Sequence, residues 1–150
     1  MADRTANVTW AGSLLEGEGT IDSVGSGAFG PLQVTWASRA EESEGRTSPE
    51  ELIAAAHSAC FSMALSHGLA QAGTPAERLE TSATVTFVPG TGITKVALVV
   101  RGSVPGLDEA AFLEQAEAAR DGCPVSKALA GVPEITLDAA LLQGPDMPGP

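Results

Sequence analysis

Basic side chains are scarce in this chain. Eight Lys and Arg residues stand against nineteen Asp and Glu, which gives a formal net charge of −11 over 150 residues. No segment gathers the basic residues into a patch, so the composition argues against nucleic acid or an anionic membrane as a partner. The opening residues MADRTANVTW contain no apolar signal core. We therefore expect a cytoplasmic protein.

Cysteine is also scarce, since the sequence contains two cysteines, Cys60 and Cys123. Two cysteines do not make a disulfide scaffold, and in a reducing compartment they are either inert or a redox pair. The sequence also contains no internal repeat. A chain of this length is most simply one domain with a core of its own.

Charge is missing from one long stretch, because no Asp, Glu, Lys or Arg occurs in residues 52–76. Ser48 before it is a good N-cap, and Glu51 three residues later completes the pattern of a capping box. Gly73 suits the left-handed residue that closes a helix. These signals predict one long helix, and the lack of charge predicts that most of its sides are buried. Its His and Ser residues make it too polar for a convincing membrane span.

Strand patterns and a second helix surround this long helix. Alternating apolar residues predict the strands, and Asp108 caps a second helix over residues 109–120. Cys123 begins a short helical turn, and residues 143–150, which are rich in Pro and Gly, are expected to be a disordered tail. The strands are expected at residues 5–11, 14–23, 32–38, 79–88, 93–104 and 134–142. This order predicts an α+β protein with one domain over residues 1–142, a mainly antiparallel sheet and a long buried central helix.

The apolar surface of the central helix predicts a partner. A single sheet can cover one face of this helix but not all of it. The remaining apolar surface needs another cover, and a second copy of the same chain is the simplest one. We therefore expect a homodimer.

Cys60 lies in the middle of the predicted helix, and two interpretations compete for it. A free Cys is usually a small buried hydrophobe. A reactive thiolate instead needs a positive partner and partial access. The residues that share its helical face are Ile53, Ala56, His57, Met63, Ala64 and His67.

Three other residues are candidates to act with Cys60. Cys123 starts a turn, where a helix N-terminus stabilises a thiolate, and its alternative is a loop cysteine packed under the second helix. Arg39 follows the third strand, and Glu50 lies in the first turn of the helix. Each of these charges has an ordinary interpretation, as a solvated strand end or a carboxylate favoured by the helix dipole. Together they are complementary, because a buried Cys needs a cation to ionise and a buried Arg needs a carboxylate to hold it.

Four segments of the chain resemble the OsmC/Ohr family, the osmotically inducible protein C and organic hydroperoxide resistance proteins. Residues 45–65, GRTSPEELIAAAHSACFSMAL, are similar to its signature, and residues 118–129, AARDGCPVSKAL, are similar to its second cysteine motif. The opening VTWAGSLLEGEGTI and the closing EITLDAAL are similar as well. His57 stands where Ohr proteins typically carry Tyr, so the chain resembles the OsmC branch.

The resemblance implies a cysteine-based peroxidase that forms the family's intertwined homodimer. Cys60 would attack the peroxide and become a sulfenic acid, and Cys123 would resolve it as an intramolecular disulfide. Arg39 would hold the thiolate and polarise the peroxide, with Glu50 orienting Arg39, and Arg46 is a second candidate for that arginine. The family uses no metal and no tightly bound cofactor. A dithiol reductant, of the lipoyl or another type, would supply the electrons.

An apolar setting for Cys60 favours organic hydroperoxides over hydrogen peroxide as substrates. The side chains expected to line it are Ile53, Phe61, Met63 and Leu65. One alternative function is a non-enzymatic homodimer that binds a small apolar molecule. Another is a metal site built on His57, Cys60 and His67. A zinc site needs about four ligands, and these three residues leave the fourth unassigned.

Glu50 and Cys60 are ten residues apart in the sequence. On one helix this separates them by ~15 Å along the axis, which a Glu side chain cannot span. We therefore expect Glu50 or Arg39 of one chain to approach Cys60 of another across a two-fold interface. The alternatives are a kinked first turn, or an Arg39 that serves both groups within its own chain.

Overall fold

The computed structural model describes residues 1–142, so the predicted tail at residues 143–150 lies outside the described residues. The elements are β1 (Ala6–Ala11), β2 (Glu18–Val24), β3 (Leu32–Val34), α1 (Trp36–Ala40), α2 (Pro49–Gln71), β4 (Arg78–Val88), β5 (Gly92–Ser103), α3 (Glu109–Gly122), α4 (Pro124–Ala128) and β6 (Glu134–Leu141). The chain divides into two compact units. The first unit contains residues 1–52 and 87–92, and the second contains residues 53–86 and the chain from residue 93 onward. The single domain over residues 1–142 stays a prediction.

The first unit contains a three-stranded antiparallel sheet in the order β1-β2-β3. Its third strand ends at Val34, earlier than the predicted residue 38. Thr35 ends it by capping a short helix: the Thr35 hydroxyl accepts from the Ser38 N–H at 3.0 Å, and the Ser38 hydroxyl accepts from the Thr35 N–H at 2.9 Å. Arg39 therefore lies in helix α1 and not at the end of a strand.

The second sheet has the order β4-β5-β6, with the predicted hairpin between β4 and β5 and a parallel pairing of β5 with β6. The expectation of mainly antiparallel strands is confirmed, but residues 1–142 form two sheets instead of one, and the β5–β6 pair is parallel. The connection permits this direction of β6. Helices α3 and α4 lie between β5 and β6, and a parallel strand pair needs a crossover connection of this length.

The core of the second unit is one cluster of buried apolar side chains from α2, β5 and α3. They recur every four residues on α2, every second residue on β5, and every three or four on α3, which are the spacings that place side chains on one face. Gly102 on β5 makes room for this packing, since a Cβ there would lie 2.7 Å from the Phe112 ring. The clustered residues are Phe61, Leu65, Leu69, Val96, Leu98, Val100, Val104, Phe112, Ala116 and Ala119.

Helix α2 begins and ends where the sequence predicts. The Ser48 hydroxyl accepts from the Glu51 N–H at 3.1 Å, but the Glu51 carboxylate accepts from the Thr47 hydroxyl at 2.8 Å. Among residues 1–142, the hydrogen bond from the Glu51 N–H to the Ser48 hydroxyl is therefore present, but the Glu51 carboxylate binds Thr47 and not the Ser48 N–H that a capping box requires. At the other end Gly73 has a φ of +87°, and the Thr74 N–H donates to the Leu69 carbonyl at 3.0 Å. This is the Schellman arrangement, which favours Gly at that position.

Helix α2 differs from the prediction in its burial. Within the single chain, 22% of its most apolar stretch is buried, so the expectation of burial on most sides is wrong for one chain alone. By length and composition α2 is also long and apolar enough to cross a membrane. Spacings of three and four residues gather exposed side chains into one strip, here called the open stripe, formed by Ala55, Ala59, Met63, Ser66 and Ala70.

Candidate active site

The two thiols meet in the second unit. Cys60 lies on α2, and Cys123 lies at the joint between α3 and α4, where its N–H closes α3 on the Ala119 carbonyl and Pro124 begins α4. The Sγ atoms of Cys60 and Cys123 are 2.9 Å apart, and both cysteines are free thiols. A disulfide bond has a length of about 2.05 Å, so a small movement would link them.

The two thiols differ in access. Cys123 is fully buried, with 0% of its surface exposed, and Cys60 is partly exposed. Cys60 is therefore the cysteine that is more open to solvent. This difference favours Cys60 as the thiol that meets a substrate, as the sequence predicts.

The thiols also differ in pKa. Burial raises the pKa of Cys60, and the hydrogen bond with Cys123 raises it further, while the backbone of Val125 acts in the opposite direction. Burial also acts to raise the pKa of Cys123, but the pKa is lowered on balance by Cys60 and by the Ser126 and Val125 groups around it. A cation from elsewhere is needed if Cys60 is to be the thiolate.

His57 and Ser126 form a second contact between α2 and α4. The His57 Nε2 and Ser126 Oγ atoms are 2.7 Å apart, and both residues are buried. Burial lowers the pKa of His57, so the ring is neutral. The sequence placed His57 on the face of Cys60 but gave no role to Ser126. Its position three residues after Cys123 was the available signal, because residues three apart in a helical turn lie close together.

Arg39 and Glu50 form a bidentate ion pair in the first unit. The Arg39 Nε atom lies 3.0 and 3.1 Å from the two carboxylate oxygens of Glu50, and Nη2 lies 2.9 Å from Oε2. Glu50 is buried, and the guanidinium carbon of Arg39 lies 4.1 Å from the centre of the Phe87 ring. Trp36 packs edge-on against the same ring, with centroids 5.8 Å apart. The sequence predicts the carboxylate partner but misses this aromatic support, because Phe87 lies far away along the chain.

Arg46 has a different setting from Arg39. Its Nη1 atom lies 3.8 Å from the exposed carboxylate of Glu44, and its Nε atom is buried without a hydrogen-bond partner among residues 1–142. The described hydrogen bonds to the Glu50 side chain come from Arg39. This geometry favours Arg39 as the arginine that Glu50 orients.

An apolar pocket of about 320 Å³ lies beside Arg39 in the first unit. The side chains expected to line an apolar site at Cys60 are placed differently. Phe61 and Leu65 are wholly buried in the core, so the expectation that they contact a substrate is wrong. The apolar side chains of the pocket near Arg39 include Val8, Trp10, Leu14, Ile21, Trp36 and Leu52.

The three residues proposed as ligands of a metal site lie in three different environments. His57 contacts Ser126, Cys60 contacts Cys123, and His67 is exposed. Within residues 1–142, no group of three or more His, Cys, Asp or Glu side chains is placed to hold a metal ion.

Comparison with known proteins identifies the family. The OsmC-like protein family matches residues 41–138, and this range includes both cysteines and Glu50. The chain belongs to the OsmC-like family. It is 43% identical to peroxiredoxin OsmC of Escherichia coli (strain K12) over 135 residues, which cover 88% of this chain and 92% of that protein.

Solved structures of OsmC-like relatives share the fold. The organic hydroperoxide resistance protein OhrB of Bacillus subtilis is 28% identical, with a TM-score of 0.62, and covers 91% of this chain and 97% of its own. An organic hydroperoxide resistance protein OsmC from Legionella pneumophila is 23% identical, with a TM-score of 0.65, and covers 91% and 96%. The family, the α+β fold with a long central helix and the class of cysteine-based peroxidase are thereby confirmed.

Proposed function

We propose that this OsmC-like chain reduces organic hydroperoxides, and inorganic peroxide less well, with Cys60 as the attacking thiol and Cys123 as the resolving thiol. The observation that carries the proposal is the 2.9 Å contact between their sulfur atoms. The name of the 43% identical relative, a peroxiredoxin, supports the same chemistry. The greater exposure of Cys60 supports the assignment of the two roles.

The reaction begins with the thiolate of Cys60. Its electron pair attacks the distal oxygen of the hydroperoxide, the O–O bond breaks, and the alkoxide leaves and takes up a proton as the alcohol. Cys60 is then a sulfenic acid. The thiolate of Cys123 attacks the Cys60 sulfur, the S–O bond breaks, and hydroxide leaves as water once it is protonated. The product is a Cys60–Cys123 disulfide.

The cycle closes by thiol–disulfide exchange. A dithiol reductant, of the lipoyl or another type, attacks the disulfide and supplies two electrons. It becomes a disulfide itself and returns Cys60 and Cys123 to thiols. The reductant is a part of this proposal.

Arg39 would supply the cation that Cys60 needs. Within one chain, burial and Cys123 raise the pKa of Cys60. A guanidinium near the sulfur favours the thiolate, and the bidentate contact with buried Glu50 holds that guanidinium in one orientation. Glu50 and Cys60 both lie on α2, and ten residues of helix separate them by ~15 Å along the axis. Arg39 of a second chain is therefore proposed to approach Cys60.

A second copy of the chain would bring these groups together. The open stripe of α2 is apolar and exposed, with Met63 at 72% exposure. In the first unit, Val8 and Trp10 of strand β1 are 62% and 42% exposed. Exposed apolar patches of this kind usually mark an interface. A two-fold dimer that covers them would make two equivalent active sites.

The substrate preference follows from the apolar pocket beside Arg39. Its volume of about 320 Å³ suits an alkyl or aryl group, and burial of that group releases it from water. Hydrogen peroxide has no apolar group and gains nothing from the pocket. The pocket therefore supports organic hydroperoxides as the preferred substrates.

The test compares two single variants with the wild-type chain, with cumene hydroperoxide as the substrate and dihydrolipoamide as the reductant. Cys60→Ser is expected to abolish peroxide consumption. Cys123→Ser is expected to complete one rapid turnover and accumulate a sulfenic acid, which dimedone traps. If Cys123→Ser fails at the first turnover and Cys60→Ser does not, the two roles are reversed. If the wild-type chain consumes no peroxide, the non-enzymatic homodimer replaces this proposal.

A further inference from the structure

Two neighbouring side-chain contacts link α2 to the start of α4. His57 meets Ser126, and Cys60 meets Cys123. In both helices the two contacting residues are three positions apart, which is nearly one turn. The hydrogen bond of His57 therefore lies one turn away from the thiol pair, on the same faces of the same two helices.

His57 is buried, and one of its two ring nitrogens has a hydrogen-bond partner. Its Nε2 atom lies 2.7 Å from Ser126 Oγ, and its Nδ1 atom has no hydrogen-bond partner among residues 1–142. A buried N–H without an acceptor is costly, so the ring proton is better placed on Nε2. His57 then donates to the Ser126 oxygen, and the Ser126 hydroxyl proton is left to be donated to another group.

We propose that His57 and Ser126 form a chain of donors that stabilises the thiolate of Cys123 and so speeds its attack on oxidised Cys60. The proposal rests on the resolving role given to Cys123 above. Ser126 acts on the reacting sulfur directly, and His57 is a positioning residue that acts through Ser126. Neither residue gives up its proton in the step.

The surroundings of Cys123 agree with this chain of donors. Burial acts to raise the pKa of Cys123, yet the pKa is lowered on balance, with Cys60 and the backbone and hydroxyl of Ser126 among the causes. Cys60 and His57 reach this end of α4 from α2. The charged residues next to Cys123 along the chain are occupied or exposed, since Arg120 pairs with Asp121 at 2.9 Å and Lys127 is exposed.

The resolving step is balanced without any further reactant. The electron pair of the Cys123 thiolate forms the S–S bond, and the S–O bond of the Cys60 sulfenic acid breaks. The hydroxide that leaves takes up the proton that Cys123 lost when it became a thiolate, and the product is water. The donor chain lowers the cost of forming that thiolate before the attack.

The test titrates Cys123 alone. In a Cys60→Ser background Cys123 is the one remaining thiol, and the chain contains no Tyr, so ultraviolet thiolate absorbance reports this group. Ser126→Ala and His57→Leu are expected to raise the measured pKa of Cys123. His57→Gln is expected to restore it, because the amide nitrogen of Gln can replace Nε2 as a donor. Ser62→Ala is the matched control, since Ser62 bonds Thr81 on β4 at 2.8 Å and its loss should leave the pKa unchanged.

A second readout uses the chain with both cysteines. Ser126→Ala and His57→Leu are expected to prolong the lifetime of the Cys60 sulfenic acid several-fold, measured as the yield of the dimedone adduct when dimedone is added after increasing delays. An unchanged pKa of Cys123 in Ser126→Ala overturns the proposal, even if His57→Leu fails to fold. Failure of His57→Gln to restore the pKa overturns the donor role of His57. The titration needs no peroxidase activity, so failure of the proposed function and failure of this inference are distinguishable.

Discussion

Arg39 and Glu50 face each other through two nitrogens and two oxygens, at distances between 2.9 and 3.1 Å. The carboxylate is buried, and the guanidinium also lies on the Phe87 ring. An arginine side chain held by a planar, bidentate hydrogen-bonded contact has far fewer orientations than an arginine without a partner. Terminal nitrogen Nη1 is not among those that contact Glu50. The Arg39 guanidinium is therefore a preoriented cation whose charge is balanced by Glu50, and no cation is among the causes that shift the pKa of Cys60 within a single chain.

Removal of this cation is expected to raise the pKa of Cys60. In the Cys123→Ser background, Arg39→Ala should shift the alkylation of Cys60 by iodoacetamide to higher pH, because burial alone raises the pKa. Each unit of increase lowers the thiolate fraction near neutral pH about tenfold, which corresponds to ~1.4 kcal/mol. The alkylation rate as a function of pH measures this shift.

Arg46→Ala is the matched control for Arg39→Ala. Arg46 belongs to the same first unit but contacts Glu44 and not Glu50. Its loss should leave the pH profile of Cys60 unchanged. A shift in Arg46→Ala together with an unchanged profile in Arg39→Ala would transfer the role to Arg46.

Mixed dimers test whether one active site uses two chains. Co-expression of a Cys60→Ser chain with an Arg39→Ala chain should restore one complete site per heterodimer if Arg39 acts across the interface. Peroxide consumption by the purified heterodimer, carrying two different affinity tags, measures the restoration. Activity no higher than that of the two parent homodimers would show that each chain supplies its own arginine.

The open stripe is expected to be the dimer interface. Met63→Glu places a charge in the middle of this apolar strip, and the dissociation constant of the dimer should rise at least tenfold in sedimentation velocity. Met63 is 72% exposed in the single chain, so the stability of the isolated chain should change by no more than about 0.5 kcal/mol.

Leu113→Glu is the control for the stripe. Leu113 is 42% exposed on α3, outside the open stripe, and a charge there should leave association unchanged. Equal sedimentation of Met63→Glu and the wild-type chain would place the interface elsewhere. Loss of association in both variants would show that the effect is general and not specific to the stripe.

Much of the fold follows from local signals in the sequence. Ser48, Asp108 and Gly73 mark helix ends, and the structure confirms each of them. These signals work because a capping hydroxyl or a left-handed Gly satisfies backbone groups within a few residues. The short helix α1 was missed because Thr35 and Ser38 form a capping box in a stretch whose alternating apolar residues also suit a strand.

The residues of the candidate site could be named from the sequence, but their geometry could not be predicted. The motifs identify Cys60 and Cys123, but their contact depends on the packing of α4 against α2, which no local pattern encodes. Ser126 was missed for the same reason, since its partner His57 is 69 residues away. The parallel direction of β6 likewise depends on the α3–α4 crossover, which makes a parallel pair possible, and is not encoded in the strand's own sequence.

Mass spectrometry of the oxidised protein tests the central claim most directly. The wild-type chain is treated with one equivalent of cumene hydroperoxide, and its free thiols are then blocked and its mass measured without reductant. The expected result is the loss of two hydrogen atoms per chain, no blocked thiol, and a peptide pair linked through Cys60 and Cys123. A mass increased by two blocking groups, with no linked peptide pair, would contradict the proposed Cys60–Cys123 disulfide, and so would a stable added oxygen on a chain without that link.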